Sequence, residues 1–130
     1  MAFIQWQKNN GDGTQSTYVE VKSIASGVVI PTKETSSGST TGTQATSGTN
    51  AVMLSANTNR TGVSIINNSD QIAYIKLDDS AATTSDYTVQ LPASSSDSVL
   101  YETPFGYTGE INIIFGGSGT GNVIYTEFTL

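Results

Sequence analysis

The chain has 130 residues, no cysteine, no histidine and a formal net charge of −6. The lack of cysteine excludes disulfide bonds and thiolate chemistry, and the lack of histidine removes the commonest general base and metal ligand. Because the excess of carboxylates falls after residue 50, where it would repel phosphate backbones and anionic lipids, we expect neither nucleic acid nor a membrane as a partner.

Residues 1–34 predict an N-terminal β-hairpin arm. They begin without the basic segment and apolar run of a signal peptide, and two short strands are expected at 2–7 and 16–24. The intervening Asn-Asn-Gly-Asp-Gly at 9–13 contains two overlapping turn signals of the kind that joins hairpin strands. A further short strand is expected at 28–30, where a proline then ends it.

Residues 35–50 contain only Thr, Ser, Gly, Gln, Ala and Asn, with neither a charged nor a large apolar side chain. Such a segment cannot bury enough apolar surface to offset the entropy lost on ordering, which predicts a flexible linker. Its threonine content also suits an extended strand at the edge of a sheet. Under both alternatives the segment separates the arm from a domain at 51–130.

Residues 51–130 predict a β-sandwich domain. Short alternating segments are separated by turn residues at roughly the 8–12-residue spacing that is typical of antiparallel sandwiches. No apolar stripe recurs at helical spacing, so we expect an all-β fold, an antiparallel sandwich of jelly-roll-like or Greek-key type. The expected strands lie at 51–55, 61–66, 72–77, 86–91, 98–102, 110–115 and 122–129.

The size of this domain predicts association with other chains. A domain of about 80 residues buries little more than roughly 60% of the surface of its unfolded chain and is marginal without disulfides or a metal. Domains of this kind are commonly completed by oligomerisation. We therefore expect a homo-oligomer.

Few side chains are candidates for catalysis or metal binding. Asp78, Asp79 and Asp86 could gather around calcium, but their spacing does not match an EF-hand loop and is more typical of a solvated acidic turn. Glu102 and Glu110 could form the carboxylate pair of a glycosidase only if they shared a cleft. We predict no catalytic residue, no metal site and no cofactor, and hence a protein that is not an enzyme.

Three further features have competing interpretations. Arg60, the single arginine, suits an ion pair between subunits, although an ordinary surface residue is the commoner case. The aromatic cluster of Tyr101, Phe105 and Tyr107 could stack on a sugar, or pack within the sandwich or at a subunit interface. The glycine-rich stretch 116–121 lacks the pattern of a phosphate-binding loop and predicts a hairpin loop.

Four parts of residues 40–129 resemble a known group of proteins. They are the stretch Asn-Arg-Thr-Gly-Val-Ser-Ile-Ile-Asn-Asn-Ser-Asp at 59–70 with the strand at 73–77, the strand at 87–92, the stretch Tyr-Glu-Thr-Pro-Phe-Gly-Tyr-Thr-Gly-Glu-Ile at 101–111, and Thr-Glu-Phe at 126–128. This order is similar to that of small β-sandwich virion proteins of tailed bacteriophages. Such proteins include capsid decoration (cement) proteins, head fibres and tail accessory proteins.

The resemblance implies a structural protein on the capsid surface of the virion, assembled in the host cytoplasm. A cement protein would be a trimer that binds the major capsid protein. Its arm would reach across the shell, with Phe3, Ile4 and Trp6 as anchors, or would instead fold back on its own sandwich. The alternative is a head-fibre or tail accessory protein that binds a host surface glycan. The candidate capsid or subunit interface residues are Phe3, Ile4, Trp6, Arg60, Phe105 and Tyr107.

Overall fold

The computed structural model describes the backbone of residues 2–9 and 15–23, and both backbone and side chains of residues 35–95 and 98–130. The chain divides into two compact units, Met1–Lys33 and Glu34–Leu130. Ten strands and no helix occur in this described part of the chain. The prediction of an all-β fold is confirmed.

The first unit contains a two-stranded antiparallel sheet. Strand β1 (Ala2–Asn9) pairs with β2 (Gln15–Ser23), and Trp6 lies opposite Tyr18 in the register. These strands correspond to those expected at 2–7 and 16–24. The strand expected at 28–30 lies outside the described residues.

The second unit is built from eight strands in two four-stranded antiparallel sheets. The first sheet has the order β3-β10-β5-β8 and the second has the order β4-β9-β6-β7. This order is that of a double-sheet jelly roll, one of the two sandwich types expected from the sequence. The strands are β3 (Gly38–Ala45), β4 (Ala51–Leu54), β5 (Arg60–Ser69), β6 (Ala73–Leu77), β7 (Val89–Leu91), β8 (Leu100–Glu102), β9 (Ile111–Phe115) and β10 (Gly121–Thr129).

Alternating side chains of both sheets form the core between them. In β5 the buried residues Val63 and Ile65 alternate with partly exposed ones, and in β9 Ile111, Ile113 and Phe115 point inward. Because successive residues of a strand face opposite sides of its sheet, every second residue can enter the core. The remaining buried members are Met53, Ala73, Ile75, Leu91 and Val123.

The Ser/Thr/Gly-rich segment contributes the first strand of the jelly roll. Strand β3 pairs with β10 along its whole length, although it carries no large apolar side chain. Gly42 lies opposite Tyr125, and a Cβ at Gly42 would collide with the tyrosine ring. The ring therefore packs directly over the β3 backbone. The sandwich thus begins at β3 rather than at the expected residue 51.

The glycine-rich stretch 116–121 is not a hairpin loop, which corrects the expectation from the sequence. Strand β9 belongs to the second sheet and β10 to the first, so the stretch crosses between sheets. Gly121 has a φ of +82°, and a Cβ there would meet the backbone of Asn68. The carboxylate of Asp70 accepts hydrogen bonds from the backbone N–H and the hydroxyl of Thr120, at 2.9 and 3.0 Å. These bonds fasten the crossing to the turn between β5 and β6.

Candidate interaction surface

The outer face of the first sheet carries an apolar row that crosses three strands. Leu100 in β8 lies opposite Ile66 in β5, which lies opposite Ile124 in β10. Directly opposed residues share a face, and Ile66 alternates with the buried Ile65 and Asn67, so the row points away from the core. Leu100 is 59% exposed, and both isoleucines are partly exposed.

A polar row follows the apolar row on the same face. It runs from Glu102 in β8 through Ser64 in β5 and Thr126 in β10 to Thr41 in β3. The hydroxyls of Thr41 and Thr126 are 3.0 Å apart and share a hydrogen bond. The acidic side chain of Glu102 therefore lies beside the apolar row.

A pocket of about 280 Å³ lies next to Glu102 on this face. Gly62 lies opposite Phe128 in the register, and a Cβ added at Gly62 would have no atom within 4 Å. The pocket is therefore open above the glycine. Its lining residues are Ser36, Thr61, Gly62, Val63, Ser64, Glu102, Thr103, Phe105 and Phe128.

Phe105 lies in a tight turn beside the pocket and is 76% exposed. The N–H of Tyr107 donates to the carbonyl of Pro104 at 3.1 Å, and Gly106 has a φ of +78°. Glycine with positive φ at the third position of such a turn is typical of type II. The turn places Phe105 at its tip, where the ring contributes little to the core.

The two tyrosines of the aromatic cluster are partly buried, unlike Phe105. Tyr101 and Tyr107 both pack against the core, and the Tyr107 hydroxyl donates to the carbonyl of Glu110 at 2.7 Å. Burial raises the pKa of both phenols above its ordinary value. The three rings therefore do not form one sugar-stacking platform, and Tyr107 is a packing residue in the isolated chain.

Arg60 is neither an ordinary surface residue nor exposed for a contact between subunits. Its side chain has no exposed surface, and its Nε lies 2.7 Å from Oε1 of Glu127 in the same chain. The guanidinium also donates to the carbonyls of Gly109 and Ser55, at 2.5 and 2.6 Å. It thereby links β10 to the segment between β4 and β5, through Ser55, and to the segment between β8 and β9, through Gly109. We therefore remove Arg60 from the proposed interface.

Glu102 and Glu110 do not share a cleft. Glu102 is on the outer face of the first sheet, whereas Glu110 accepts a hydrogen bond from Asn112, which is on the outer face of the second sheet. The two sheets of a sandwich are ~10 Å apart, and both carboxylates lie beyond them on opposite sides. This geometry excludes the pair as the acid and nucleophile of a glycosidase.

The three aspartates considered for calcium binding have different hydrogen-bond partners. Asp86 accepts from the amine of Lys76 at 2.6 Å, and Asp78 accepts from the N–H of Ser80. A hydrogen bond between Asp78 and Asp79 lowers the pKa of the first and raises that of the second. In residues 35–95 and 98–130 no group of three or more acidic side chains is placed to hold a metal ion.

The outer face of the second sheet is partly covered by its own chain. Asn112 is on this face yet only 2% exposed, because it accepts from the amide of Asn50 and donates to the carbonyl of Asp78. The N–H of the buried Ala82 donates to Asn50 at 2.8 Å. The segment that follows β6 therefore folds back over this sheet.

Further contacts hold that segment in place. The rings of Tyr74 and Tyr87 are 5.0 Å apart at an angle of 59°, and Lys76 pairs with Asp86. The strand expected at 86–91 is reduced to β7 because Asp86 instead forms an isolated bridge with Thr83.

The remaining candidate anchors, Phe3, Ile4 and Trp6, lie in β1. Their side chains are outside the described part of the structure. Gly62, Leu100 and Phe128 were not among the surface residues predicted from the sequence. A glycine and a leucine at positions that alternate with core residues were the available signal.

Comparison with known proteins adds no relative. The chain matches no family model, no curated protein and no solved structure. Within the described residues no helix is long and apolar enough to cross a membrane.

Proposed function

We propose that the protein is a virion structural protein of a tailed bacteriophage. In this role it is a capsid decoration (cement) protein that stabilises the head by bridging subunits of the major capsid protein. The observation that carries this proposal is the outer face of the first sheet, which residues 35–95 and 98–130 leave open, with Leu100 59% exposed at the end of an apolar row. Contiguous exposed apolar surface is typical of protein interaction sites.

The mechanism is thermodynamic rather than chemical. A protein that binds the assembled shell and not its separated subunits adds its binding free energy to the cost of taking the shell apart. Burial of Leu100, Ile66 and Ile124 against the shell would supply part of that energy. We propose that the functional form is a homotrimer, because linked copies gain avidity from simultaneous contacts. Its place is the capsid surface, and assembly takes place in the host cytoplasm.

Binding to heads tests the proposal directly. Purified protein is mixed with undecorated heads of the phage that encodes it, and pelleting and thermal disruption of the heads are measured. We expect the protein to co-sediment and to raise the temperature at which the heads disrupt. Failure in both assays would remove the cement proposal. Light scattering of the protein alone tests the trimer, which a monomeric mass would contradict.

The alternative is a head-fibre or tail accessory protein that binds a host surface glycan. The exposed ring of Phe105 beside hydroxyls and a carboxylate supports it, since sugars stack on aromatic rings and hydrogen-bond to such groups. A glycan array separates the two functions. Saturable binding to one glycan that Phe105→Ala abolishes, without any binding to heads, would favour the alternative.

A further inference from the structure

We propose that the pocket above Gly62 receives a cationic side chain, an arginine guanidinium, from the surface of a protein partner. The inference deepens the proposed function, on which it rests only in taking that partner to be a protein. It adds a specific site to the open face of the first sheet, beside the apolar row.

The shape of the pocket suits one large side chain. Two glycines of the first sheet lie opposite an aromatic residue of β10, Gly42 on the face toward the core and Gly62 on the outer face. Tyr125 covers Gly42, whereas the space above Gly62 is empty and Phe128 forms a wall instead. The volume of about 280 Å³ is below the roughly 300–1,000 Å³ of pockets for whole small molecules. An inserted side chain would fit between Phe128, Phe105 and Glu102.

The charges around the pocket favour a cation. The carboxylate of Glu102 has no hydrogen-bond or ion-pair partner among the residues that the structure describes. The two cationic side chains in 35–130 are already paired, Arg60 with Glu127 and Lys76 with Asp86. Residues 51–130 carry the whole net charge of −6. An approaching cation would therefore be attracted by the domain and would meet an available carboxylate.

The walls favour a guanidinium over other cations. A guanidinium is planar, stacks on aromatic faces and donates two parallel hydrogen bonds to a carboxylate. Phe105 and Phe128 supply rings, and Glu102 supplies the carboxylate. A neutral sugar could also stack on Phe105 but would gain nothing from the negative field. The tyrosines that would extend a sugar platform pack against the core. The geometry thus favours an arginine-bearing protein over a glycan.

The probe is the single side chain, offered to the intact chain in solution. Amide chemical shifts are followed by NMR as Nα-acetylarginine methylamide is added at constant pH and ionic strength. The matched neutral control is the citrulline analogue, and glucose, galactose and N-acetylglucosamine test the glycan. We expect saturable shifts at Gly62, Ser64, Glu102 and Phe105, and binding of the citrulline analogue at least about tenfold weaker. Equal binding of both analogues, stronger binding of a sugar, or no saturable shift would overturn the inference.

Gly62→Leu fills the pocket without disturbing the strand, because the added atoms enter open space and Gly62 does not have a positive φ. Gly62→Ala is the matched control, and Glu102→Gln removes the charge alone. We expect Gly62→Leu to abolish the saturable shifts, Glu102→Gln to weaken binding at least about tenfold, and Gly62→Ala to retain binding. Unchanged arginine binding in Glu102→Gln would overturn the inference even if Gly62→Leu failed to fold.

The pocket assignment and the cement role can be disproved independently of each other. If wild-type protein binds heads but not the arginine probe, the pocket assignment is wrong and the cement role stands. If the probe binds at the pocket but the protein binds no heads, the cation site stands and the cement role is wrong.

Discussion

The two sheets of the jelly roll share a core but differ in how much of their outer faces is covered. On the second sheet, Asn112 and Ala82 are buried because the segment after β6 folds back and hydrogen-bonds to the face. On the first sheet, the described residues leave Leu100 and Phe105 largely exposed, together with a pocket. Residues 35–95 and 98–130 thus cover one face with a loop and leave the other open, and an open apolar face is suited to a partner.

The largest expected effect on stability concerns the buried charge of Arg60. Arg60→Ala leaves two carbonyl oxygens without their donor and Glu127 with only the Asn57 amide, so we expect a loss of about 3–5 kcal/mol in the free energy of unfolding. Chemical denaturation measures it. Lys76→Ala, which breaks a more exposed ion pair on the second sheet, should cost below about 1 kcal/mol. Equal effects would show that Arg60 does not bind as described.

Substitution on the covered face should destabilise the fold more than substitution on the open face. Asn112→Ala leaves the Asp78 carbonyl and the Asn50 amide without their partner, and we expect a loss of about 2–3 kcal/mol. Thr126→Ala on the open face removes only an exposed hydrogen bond to Thr41, and the loss should stay below about 1 kcal/mol. The comparison between the faces breaks down if denaturation shows the two variants to be equally stable.

Binding should show the opposite asymmetry. Leu100→Ser changes an exposed side chain, so stability should change within about 0.5 kcal/mol. Affinity for phage heads should fall about 10–100-fold, because exposed apolar anchors supply much of the energy of an interface. The matched control is Val52→Ser, since Val52 is 49% exposed on the second sheet. A quantitative pelleting assay in which Val52→Ser binds heads more weakly than Leu100→Ser would place the interface on the second sheet and contradict the account.

The smallest effect concerns the contact between Asp70 and Thr120, which joins two connections that run between the sheets. Hydrogen bonds from the N–H and hydroxyl of Thr120 hold the pKa of Asp70 below its ordinary value of 3.8. A lowered folded-state pKa stabilises the fold above the unfolded value, and this stability disappears as pH falls through the folded value. The melting temperature of wild type should exceed that of Asp70→Asn at pH 6, and the difference should shrink below about pH 4. A difference that is constant with pH would contradict the contact.

The positions of many strands follow from the local alternation of apolar and polar residues. The pairing of those strands does not. The spacing of Val63 and Ile65, or of Ile111, Ile113 and Phe115, predicts strands with one buried face. The same spacing cannot say that β9 and β10 belong to different sheets, because strand pairing depends on contacts that are distant in sequence. The turn chemistry of 116–121 therefore predicted a hairpin where the chain crosses between sheets.

The candidate site was predictable only in part. Phe105 follows a proline and precedes a glycine, a turn pattern that favours exposure, and the structure places it at a turn tip. The burial of Arg60 and the separation of Glu102 from Glu110 depend on which sheet each segment joins. A single charged residue carries no local signal for that choice. The pocket likewise exists because Phe128 does not cover Gly62, a matter of packing rather than pattern.

Electron cryomicroscopy of phage heads saturated with the protein tests the orientation most directly. The account predicts that the outer face of the first sheet, with Leu100 and the pocket above Gly62, lies against the shell. The covered face of the second sheet should then point into solvent. A map in which the second sheet contacts the shell while Leu100 remains exposed to solvent would contradict the account.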